Sequence, residues 1–294
     1  MSQLCLMTVH AHPDDESSKG AGTVAKYHAE GVHTVLVCCT GGEEGDILNP
    51  AMDRPGVRED ITSIRSEELD RAAKIIGYDD VEKLGYRDSG MPDSEANADP
   101  RSFARAPLDE AVGRLVALIR KHRPQVVVTY PENQSGYPHP DHIRDHEVTT
   151  AAFAAAGDPK QYPEAGKPWA PVKLYWVVWS ARRMQAMQEK YDELGLESPY
   201  SDERLKKAIE HSEIDKSTTL IEIRHWERVS GEALRAHQTQ VDPNGRWFSL
   251  PQEASEGVWP YDEYVLAVDH TGRPYPEPDE ETDLFAGVRE LVSR

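Results

Sequence analysis

Residues 4–16, LCLMTVHAHPDDE, decide the fold of this chain. Leu4 to Val9 is a short apolar run, which predicts a strand buried on both faces. Where this strand ends, two histidines and three acidic residues fall within the seven positions from His10 to Glu16. Ligands and substrates of α/β proteins bind beyond the carboxyl ends of the strands. The stretch therefore predicts both the first strand of a sheet and one side of a site.

The rest of the N-terminal half alternates strands with helices. Further buried strands are predicted at His33–Cys39 and Val126–Tyr130, with a shorter one at Val81–Leu84. Amphipathic or capped segments predict helices over Thr23–Glu30, Arg58–Ile76 and Leu108–His122, and a loop with a helix over Pro131–Ala156. This order is typical of an α/β fold with a mostly parallel sheet and helices on both faces.

The C-terminal half has a less regular pattern. It predicts strands at Val172–Trp179, Thr218–Ile223 and Tyr261–Val268, helices at Arg182–Leu194 and Trp226–His237, and a solvated acidic loop at Pro274–Glu281. No sharp change of composition divides the chain, so we expect one elaborated α/β domain over residues 1–294. Residues 1–157 would carry the core βαβ part with the metal loops, and residues 158–294 would complete the substrate cleft.

Charge and composition exclude several classes of function. The chain has 33 Lys+Arg against 52 Asp+Glu, a net charge of −19, which disfavours binding to nucleic acid or to an anionic membrane. Its longest apolar run, Leu174–Trp179, is too short to span a bilayer, and Met1–Val9 lacks the basic region of a signal peptide. Three cysteines make no disulfide framework. We therefore expect a cytoplasmic protein.

A second polar loop follows the strand at Val126–Tyr130. Its sequence, PENQSGYPHPDH over residues 131–142, brings Tyr137, His139, Asp141 and His142 to the end of that strand. Neighbouring parallel strands end at the same edge of a sheet, so this loop is expected to face the one at His12–Asp15.

The two loops together offer the ligands of a catalytic metal. His12, Asp15 and His142 would form a His₂Asp set with one open position, which suits Zn²⁺. Fe²⁺ could occupy the same ligands in a cell, because such sites do not select zinc by affinity alone. Asp14 would face the water as general base, so the pattern predicts metal-assisted hydrolysis. The alternative is that these acids only cap a helix, as Glu16, Ser17 and Ser18 could do.

Other motifs are less specific. The loop GGEEG at residues 41–45 contains two glutamates, which argues against phosphate. One glutamate could contact a substrate hydroxyl or amine, or the loop could be an ordinary turn. Cys38 and Cys39 are expected to be buried core thiols. His10 is interpreted as structural, and spacing alone does not say whether His237 packs near the site.

Five motifs taken together resemble the LmbE/PIG-L zinc N-deacetylase family. They are HPDDE at residues 12–16, GGEEG at 41–45, RSEEL at 65–69, LGYRDSGM at 84–91 and HPDH at 139–142. The resemblance extends to ALRAHQTQ at 233–240 and DLFAGV at 283–288, so it covers most of the chain.

The resemblance implies a Rossmann-like fold and a role for each matching residue. It implies one zinc ion per subunit on His12, Asp15 and His142, with Asp14 as general base. His139 would stabilise or protonate the developing charge, and Tyr137 would contact the oxyanion. The remaining implied roles are a carboxylate that orients an active-site histidine (Asp141) and contacts to the inositol or glucosamine part of the substrate (Arg65, Asp88 and, more weakly, Glu43).

The local sequence HPDDESSKG resembles the branch of the family that acts in mycothiol metabolism. It implies hydrolysis of the cysteinyl–glucosaminyl amide of mycothiol S-conjugates, a detoxification reaction, with the Lys19 ammonium contacting the cysteinyl arm. Lys19 could instead be a surface lysine. The alternative reaction is deacetylation of N-acetylglucosaminyl-inositol in mycothiol biosynthesis. A candidate of another class is a non-catalytic protein that binds sugar conjugates.

Overall fold

The computed structural model describes residues 3–133, 137–198, 206 and 217–292. In these ranges the strands are β1 Cys5–His10, β2 His33–Thr40, β3 Asp80–Tyr86, β4 Val126–Thr129, β5 Lys173–Val178, β6 Thr219–Glu222 and β7 Tyr261–Asp269. The α-helices are α1 Asp15–Ser18, α2 Ala21–Ala29, α3 Ile61–Ile76, α4 Glu95–Ala98, α5 Leu108–His122, α6 Pro140–Ala155, α7 Ala181–Glu193, α8 Glu227–Ala236, α9 Gln252–Ser255 and α10 Val288–Val292. Each predicted strand and long helix is present, within a few residues of its predicted bounds.

The strands form one sheet in the order β3-β2-β1-β4-β5-β7-β6. β1 lies inside the sheet and pairs in parallel with β2 and β4. β3 and β5 extend the parallel part, and β7 is antiparallel to both of its neighbours. The predicted mostly parallel α/β fold is confirmed, and strands from both halves of the chain hydrogen-bond in the same sheet.

Helices cover both faces of the sheet. Alternate residues of β1 point to opposite faces, so Met7 and Val9 pack with α5 and α6 while Leu6 packs with α2 and α8. β1 and β4 are buried along their whole length, which explains their continuous apolar sequence. Among the described residues, no helix has both the length and the apolar character that crossing a bilayer requires.

Glu281, the last residue of the acidic loop at Pro274–Glu281, is buried. At this residue the prediction of a solvated loop is wrong. Glu281 lies against the Nζ atom of the fully buried Lys173 and accepts a hydrogen bond from Tyr175 Oη. Thr219 Oγ1 donates to the same carboxylate over 3.0 Å. A buried lysine needs a paired and hydrogen-bonded anion, so Glu281 ties the loop to β5 and β6.

A second buried carboxylate, Asp145, lies between α6 and β4. Its Oδ1 accepts hydrogen bonds from Thr129 Oγ1 and Thr149 Oγ1, both over 2.9 Å. Its other oxygen lies 3.5 Å from Cys39 Sγ. Burial raises the pKa of Asp145 to about 7, because these neutral donors only partly replace the lost hydration.

The raised pKa of Asp145 predicts a pH-dependent stability. A pKa of about 7 when folded, against 3.8 in the unfolded chain, corresponds to up to about 4 kcal/mol of stability lost as the pH rises from about 4 to 7. Asp145→Asn keeps an oxygen for both threonines and cannot ionise. The variant should therefore gain stability relative to the parent across this window, measured by urea unfolding at pH 5 and pH 8. Asp60→Asn, at an exposed carboxylate, is the control, and an equal change in both variants would contradict the assignment.

Candidate active site

The site is organised around the buried carboxylate of Asp15, at the N-terminus of α1. Its Oδ2 atom lies 3.2 Å from His12 Nδ1 and 3.4 Å from His142 Nε2, and it accepts a 2.7 Å hydrogen bond from Tyr130 Oη. Its Oδ1 atom is bound by the Lys19 ammonium. Burial raises the pKa of Asp15, but the Lys19 charge, together with the contacts to the His142 and His12 rings, outweighs it, so the pKa lies well below its usual value.

The predicted ligands His12, Asp15 and His142 come together from two loops and fit a divalent metal. One ligand atom from each lies within 4.8 Å of the other two. A tetrahedral Zn²⁺ with ligand distances of about 2.0–2.1 Å separates its ligand atoms by about 3.3 Å. The observed 3.2 Å and 3.4 Å separations from Asp15 Oδ2 match that geometry without a change of fold. Burial lowers the pKa of His142 to about 4, so its ring is neutral at pH 7, as a metal ligand requires.

The second ring nitrogen of His12 faces Asp141. His12 Nε2 lies 3.1 Å from Asp141 Oδ2, and the backbone N–H and hydroxyl of Ser89 donate to the same carboxylate. A carboxylate on the outer nitrogen of a metal-binding histidine fixes its tautomer and orientation. Ser89 was not predicted from the sequence. Its position next to Asp88 gave no independent signal, because the contact spans 52 residues.

Asp14 presents its carboxylate beside this set from a strained backbone. Its φ of 117° lies in the left-handed region, which a non-glycine residue rarely adopts. The buried Arg65 guanidinium donates from Nη2 to Asp14 Oδ2 over 3.0 Å and to the Pro13 carbonyl, and from Nη1 to the Gly42 carbonyl. Burial raises the pKa of Asp14, and the Arg65 charge opposes that rise.

A buried ion pair between Glu16 and His237 holds the backbone of the loop that carries Asp14. Glu16 Oε2 accepts a 2.9 Å hydrogen bond from the Asp14 backbone N–H, and Glu16 Oε1 lies 2.7 Å from His237 Nε2. Burial opposes ionisation of both groups, but their mutual attraction lowers the pKa of Glu16 and raises that of His237. Glu16 does more than cap a helix, and His237 at the end of α8 does pack under the site.

His139 and Tyr137 lie on the other side of His12. The His139 ring packs edge-on against His12, with centroids 4.5 Å apart, and its Nδ1 accepts the backbone N–H of Asp141 over 3.2 Å. Burial, followed by the His12 charge, lowers the pKa of His139. The ring is therefore neutral, with its proton on Nε2. Tyr137 stacks on His139 and is 49% exposed, which places it at the mouth of the site.

The predicted sugar-binding residues lie deeper than the sequence alone suggests. Asp88 is buried 3.6 Å from His12 Nε2 and accepts the backbone N–H of Gly90 over 2.8 Å. Burial raises the pKa of Asp88, but the hydrogen bond from His12, the His12 charge and the Gly90 N–H together outweigh it, so the pKa lies well below its usual value. Glu43 and Pro13 line an adjacent cavity of about 410 Å³. Within the described part of the chain, Glu43 Oε2 is buried without a hydrogen-bond partner.

Lys19 and Tyr130 complete the surroundings of Asp15. The Lys19 side chain reaches back from the end of α1 to Asp15, and its ammonium lies 5.8 Å from the centre of the Tyr130 ring. Tyr130 stacks on His142 with centroids 4.3 Å apart. It was predicted only as the last residue of a strand, since the pattern of a buried strand does not reveal which groups its hydroxyl will meet.

Comparison with known proteins agrees with this geometry. The family model described as PIG-L, GlcNAc-PI de-N-acetylase, matches residues 7–153, which contain both loops. The chain is 44% identical to the mycothiol S-conjugate amidase of Streptomyces coelicolor, over 98% of each chain. It is 40% identical to the 1D-myo-inositol 2-acetamido-2-deoxy-alpha-D-glucopyranoside deacetylase of Streptomyces avermitilis, over 96% of this chain and 97% of that one.

A solved structure has the same fold. The N,N'-diacetylchitobiose deacetylase of Pyrococcus horikoshii superposes with a TM-score of 0.61 at 18% identity, covering 90% of this chain and 84% of that one. At that identity the likeness concerns the fold alone. The family match and the relatives over nearly the full length confirm the resemblance found in the motifs: the chain belongs to the LmbE/PIG-L family of de-N-acetylases and amidases.

Proposed function

We propose that the protein is a zinc-dependent amidase. It hydrolyses the cysteinyl–glucosaminyl amide of mycothiol S-conjugates to a mercapturic acid and glucosaminyl-inositol. The observation that carries the proposal is the Asp14 carboxylate held by Arg65 beside the His12, Asp15 and His142 ligand set. The choice of substrate is supported by the 44% identical amidase of Streptomyces coelicolor and by Lys19, whose ammonium lies at the ligand set.

The ligand set and Asp14 divide the first step between them. A bound Zn²⁺, or Fe²⁺ on the same ligands, supplies Lewis-acid chemistry that polarises a carbonyl and makes water a better nucleophile at neutral pH. Asp14 takes a proton from the attacking water while the new C–O bond forms. Arg65 holds one carboxylate oxygen of Asp14. The other oxygen is assigned to accept that proton.

Two neighbouring side chains stabilise the negative charge that develops on the amide oxygen. His139 is a neutral donor, because its Nδ1 already accepts a backbone N–H and its proton is on Nε2. Tyr137, at the mouth of the site, donates its hydroxyl to the same oxygen. Asp14 then passes the proton it took from water to the glucosamine nitrogen as the C–N bond breaks, which yields an amine and a carboxylic acid, while His139 keeps its Nε2 proton hydrogen-bonded to the oxygen.

The sugar end of the substrate would occupy the side of the site near β2 and β3. We assign its hydroxyl contacts to Asp88 and Glu43, whose carboxylates lie at His12 and at the adjacent cavity. Arg65 was also predicted to contact the sugar, and it lies against Asp14. Since its guanidinium is buried among protein acceptors, we assign it mainly to positioning Asp14. Lys19, on the opposite side of Asp15, would contact the cysteinyl arm.

We further propose that the enzyme works in the cytoplasm as a protein of small-molecule metabolism. Its cysteines, Cys5, Cys38 and Cys39, are buried free thiols. Burial raises the pKa of Cys5 to about 12, so this thiol stays protonated and unreactive at neutral pH.

Competing substrates test the proposed function. The Zn²⁺-loaded chain should cleave a mycothiol–bimane conjugate with a kcat/KM at least about tenfold above that for N-acetylglucosaminyl-inositol, measured by mass spectrometry of both products. Chelation should abolish both reactions and Zn²⁺ should restore them. The reverse preference would identify a deacetylase of mycothiol biosynthesis. Stoichiometric binding without product would identify a non-catalytic binding protein.

Asp14→Asn tests the general base. The amide cannot accept the proton from water, so kcat should fall by about 10²–10⁴-fold. Zn²⁺ content should not change, because Asp14 is not in the ligand set. Asp192→Asn, at an exposed carboxylate on α7, should keep full activity. A zinc-loaded Asp14→Asn protein with near-normal turnover would assign the base to another group.

Lys19→Gln tests the contact to the cysteinyl arm. Because Lys19 also touches Asp15, its loss is expected to slow both reactions. The loss of the contact to Asp15 should slow both reactions alike and leave the ratio of their kcat/KM values unchanged. The loss of the contact to the cysteinyl arm should affect conjugate cleavage alone, so its kcat/KM should fall at least about tenfold more than that of deacetylation. Lys190→Gln is a matched control, since Lys190 pairs with Glu193 and is similarly exposed. An equal loss of kcat/KM on both substrates would contradict the contact to the cysteinyl arm and would limit the role of Lys19 to its interaction with Asp15.

A further inference from the structure

A second set of two histidines and one aspartate lies at the amino-terminal ends of the strands, whereas the candidate active site lies at their carboxyl ends. This side of the sheet is the opposite edge from the active site. His33 is the first residue of β2, Asp80 is the first residue of β3, and His122 is the last residue of α5. β2 and β3 are parallel neighbours, so both begin at this edge. α5 leads into β4, which is parallel to β1, so the end of α5 must return to the same edge.

The three side chains converge on one carboxylate oxygen. Asp80 Oδ2 lies 2.9 Å from His33 Nε2 and 3.7 Å from His122 Nδ1. One ligand atom from each residue lies within 4.8 Å of the other two. The two rings are nearly parallel, at 24°, with centroids 6.3 Å apart. Ligand atoms of a tetrahedral Zn²⁺ are separated by about 3.3 Å, and the two distances from Asp80 bracket that value.

The outer nitrogens of both histidines also face carboxylates. His122 Nε2 lies 2.8 Å from Glu82 Oε1, and His33 Nδ1 lies 3.4 Å from Asp79 Oδ2. Glu82 is also bound by Lys121, and Asp79 is fixed by the backbone N–H and hydroxyl of Thr34. A carboxylate behind each metal-binding histidine is the arrangement that orients the ring and strengthens it as a ligand.

The cluster is open to ions in solution. The side chains of His33 and Asp80 are 28% and 43% exposed, whereas that of His122 is 6% exposed and anchored on α5. A further histidine lies close by, since His28 Nδ1 is 3.6 Å from Asp79 Oδ2. This part of the surface is therefore rich in nitrogen and oxygen ligands for a divalent cation, and three of them have the spacing that a single ion needs.

We propose that His33, Asp80 and His122 bind a second divalent transition-metal ion such as Zn²⁺. The set has three protein ligands and a position for solvent. In the described part of the chain it lies apart from Asp14 and the other acid–base groups of the first site. Its ion cross-links the starts of β2 and β3 to the end of α5. The site stabilises the fold and takes no part in amide hydrolysis.

Metal titration of the untagged, metal-free chain with Zn²⁺ alone tests the site. Isothermal titration calorimetry and elemental analysis should find two bound ions per chain. His142→Gln should retain one ion, at the second site. His33→Gln/His122→Gln should also retain one ion, with amide hydrolysis unchanged and with a smaller rise in Tm on adding Zn²⁺. All three substitutions together should leave none.

Two further variants make the result decisive. Asp80→Asn changes a partly exposed residue and should weaken the second ion at least about tenfold without loss of folding. His28→Gln, next to the cluster but outside the ligand set, should keep two ions. A parent chain that binds one ion, removed by His142→Gln, would overturn the proposal. So would two ions retained in His33→Gln/His122→Gln, or an equal loss of binding in His28→Gln.

Discussion

The buried charge of Asp15 is the constraint on which the site and much of the fold depend. A carboxylate removed from water is strongly destabilising unless donors and cations surround it. Here they come from His12 and Lys19 on the same turn, from Tyr130 after β4, and from His142 on α6. These partners meet only if β1 and β4 lie side by side, as they do at the centre of the sheet. The pairing that completes the core therefore also neutralises the site.

The same turn shows how the C-terminal half contributes to the chemistry. Asp14 has a positive φ, and its backbone N–H is held by Glu16, which pairs with His237 on α8. The pair joins residues 221 positions apart and is fully buried, so its loss would leave one charge without a partner. A strained conformation persists only where the surrounding structure holds it. We infer that α8 packs on this turn to keep the Asp14 carboxylate facing the cleft.

The sequence predicts those features that local patterns specify. Continuous apolar runs predicted the central strands, and the position of polar residues at the ends of β1 and β4 predicted that His12, Asp15 and His142 would meet. Long-range polar pairs could not be predicted in this way. Neither the burial of Glu281 against Lys173 nor the Glu16–His237 pair follows from any periodicity. The late strand β7 was predicted, but its antiparallel direction depends on a connection whose path the pattern does not fix.

The two His₂Asp sets differ in the groups that surround them. The surroundings of His12, Asp15 and His142 favour catalysis, and those of His33, Asp80 and His122 favour a structural ion. His139 and His142 lie at the start of α6, where the positive end of the helix favours negative charge such as a developing oxyanion. His122 ends α5, where the negative end of the helix favours a cation and the adjacent groups are carboxylates already paired. In the proposed function Asp14 gives the first set a base beside a cleft, whereas in the proposed second site the ligands join three elements that the sheet has already brought together. We therefore propose that one α/β topology places a reactive site at the ends of its strands and a binding site at their beginnings.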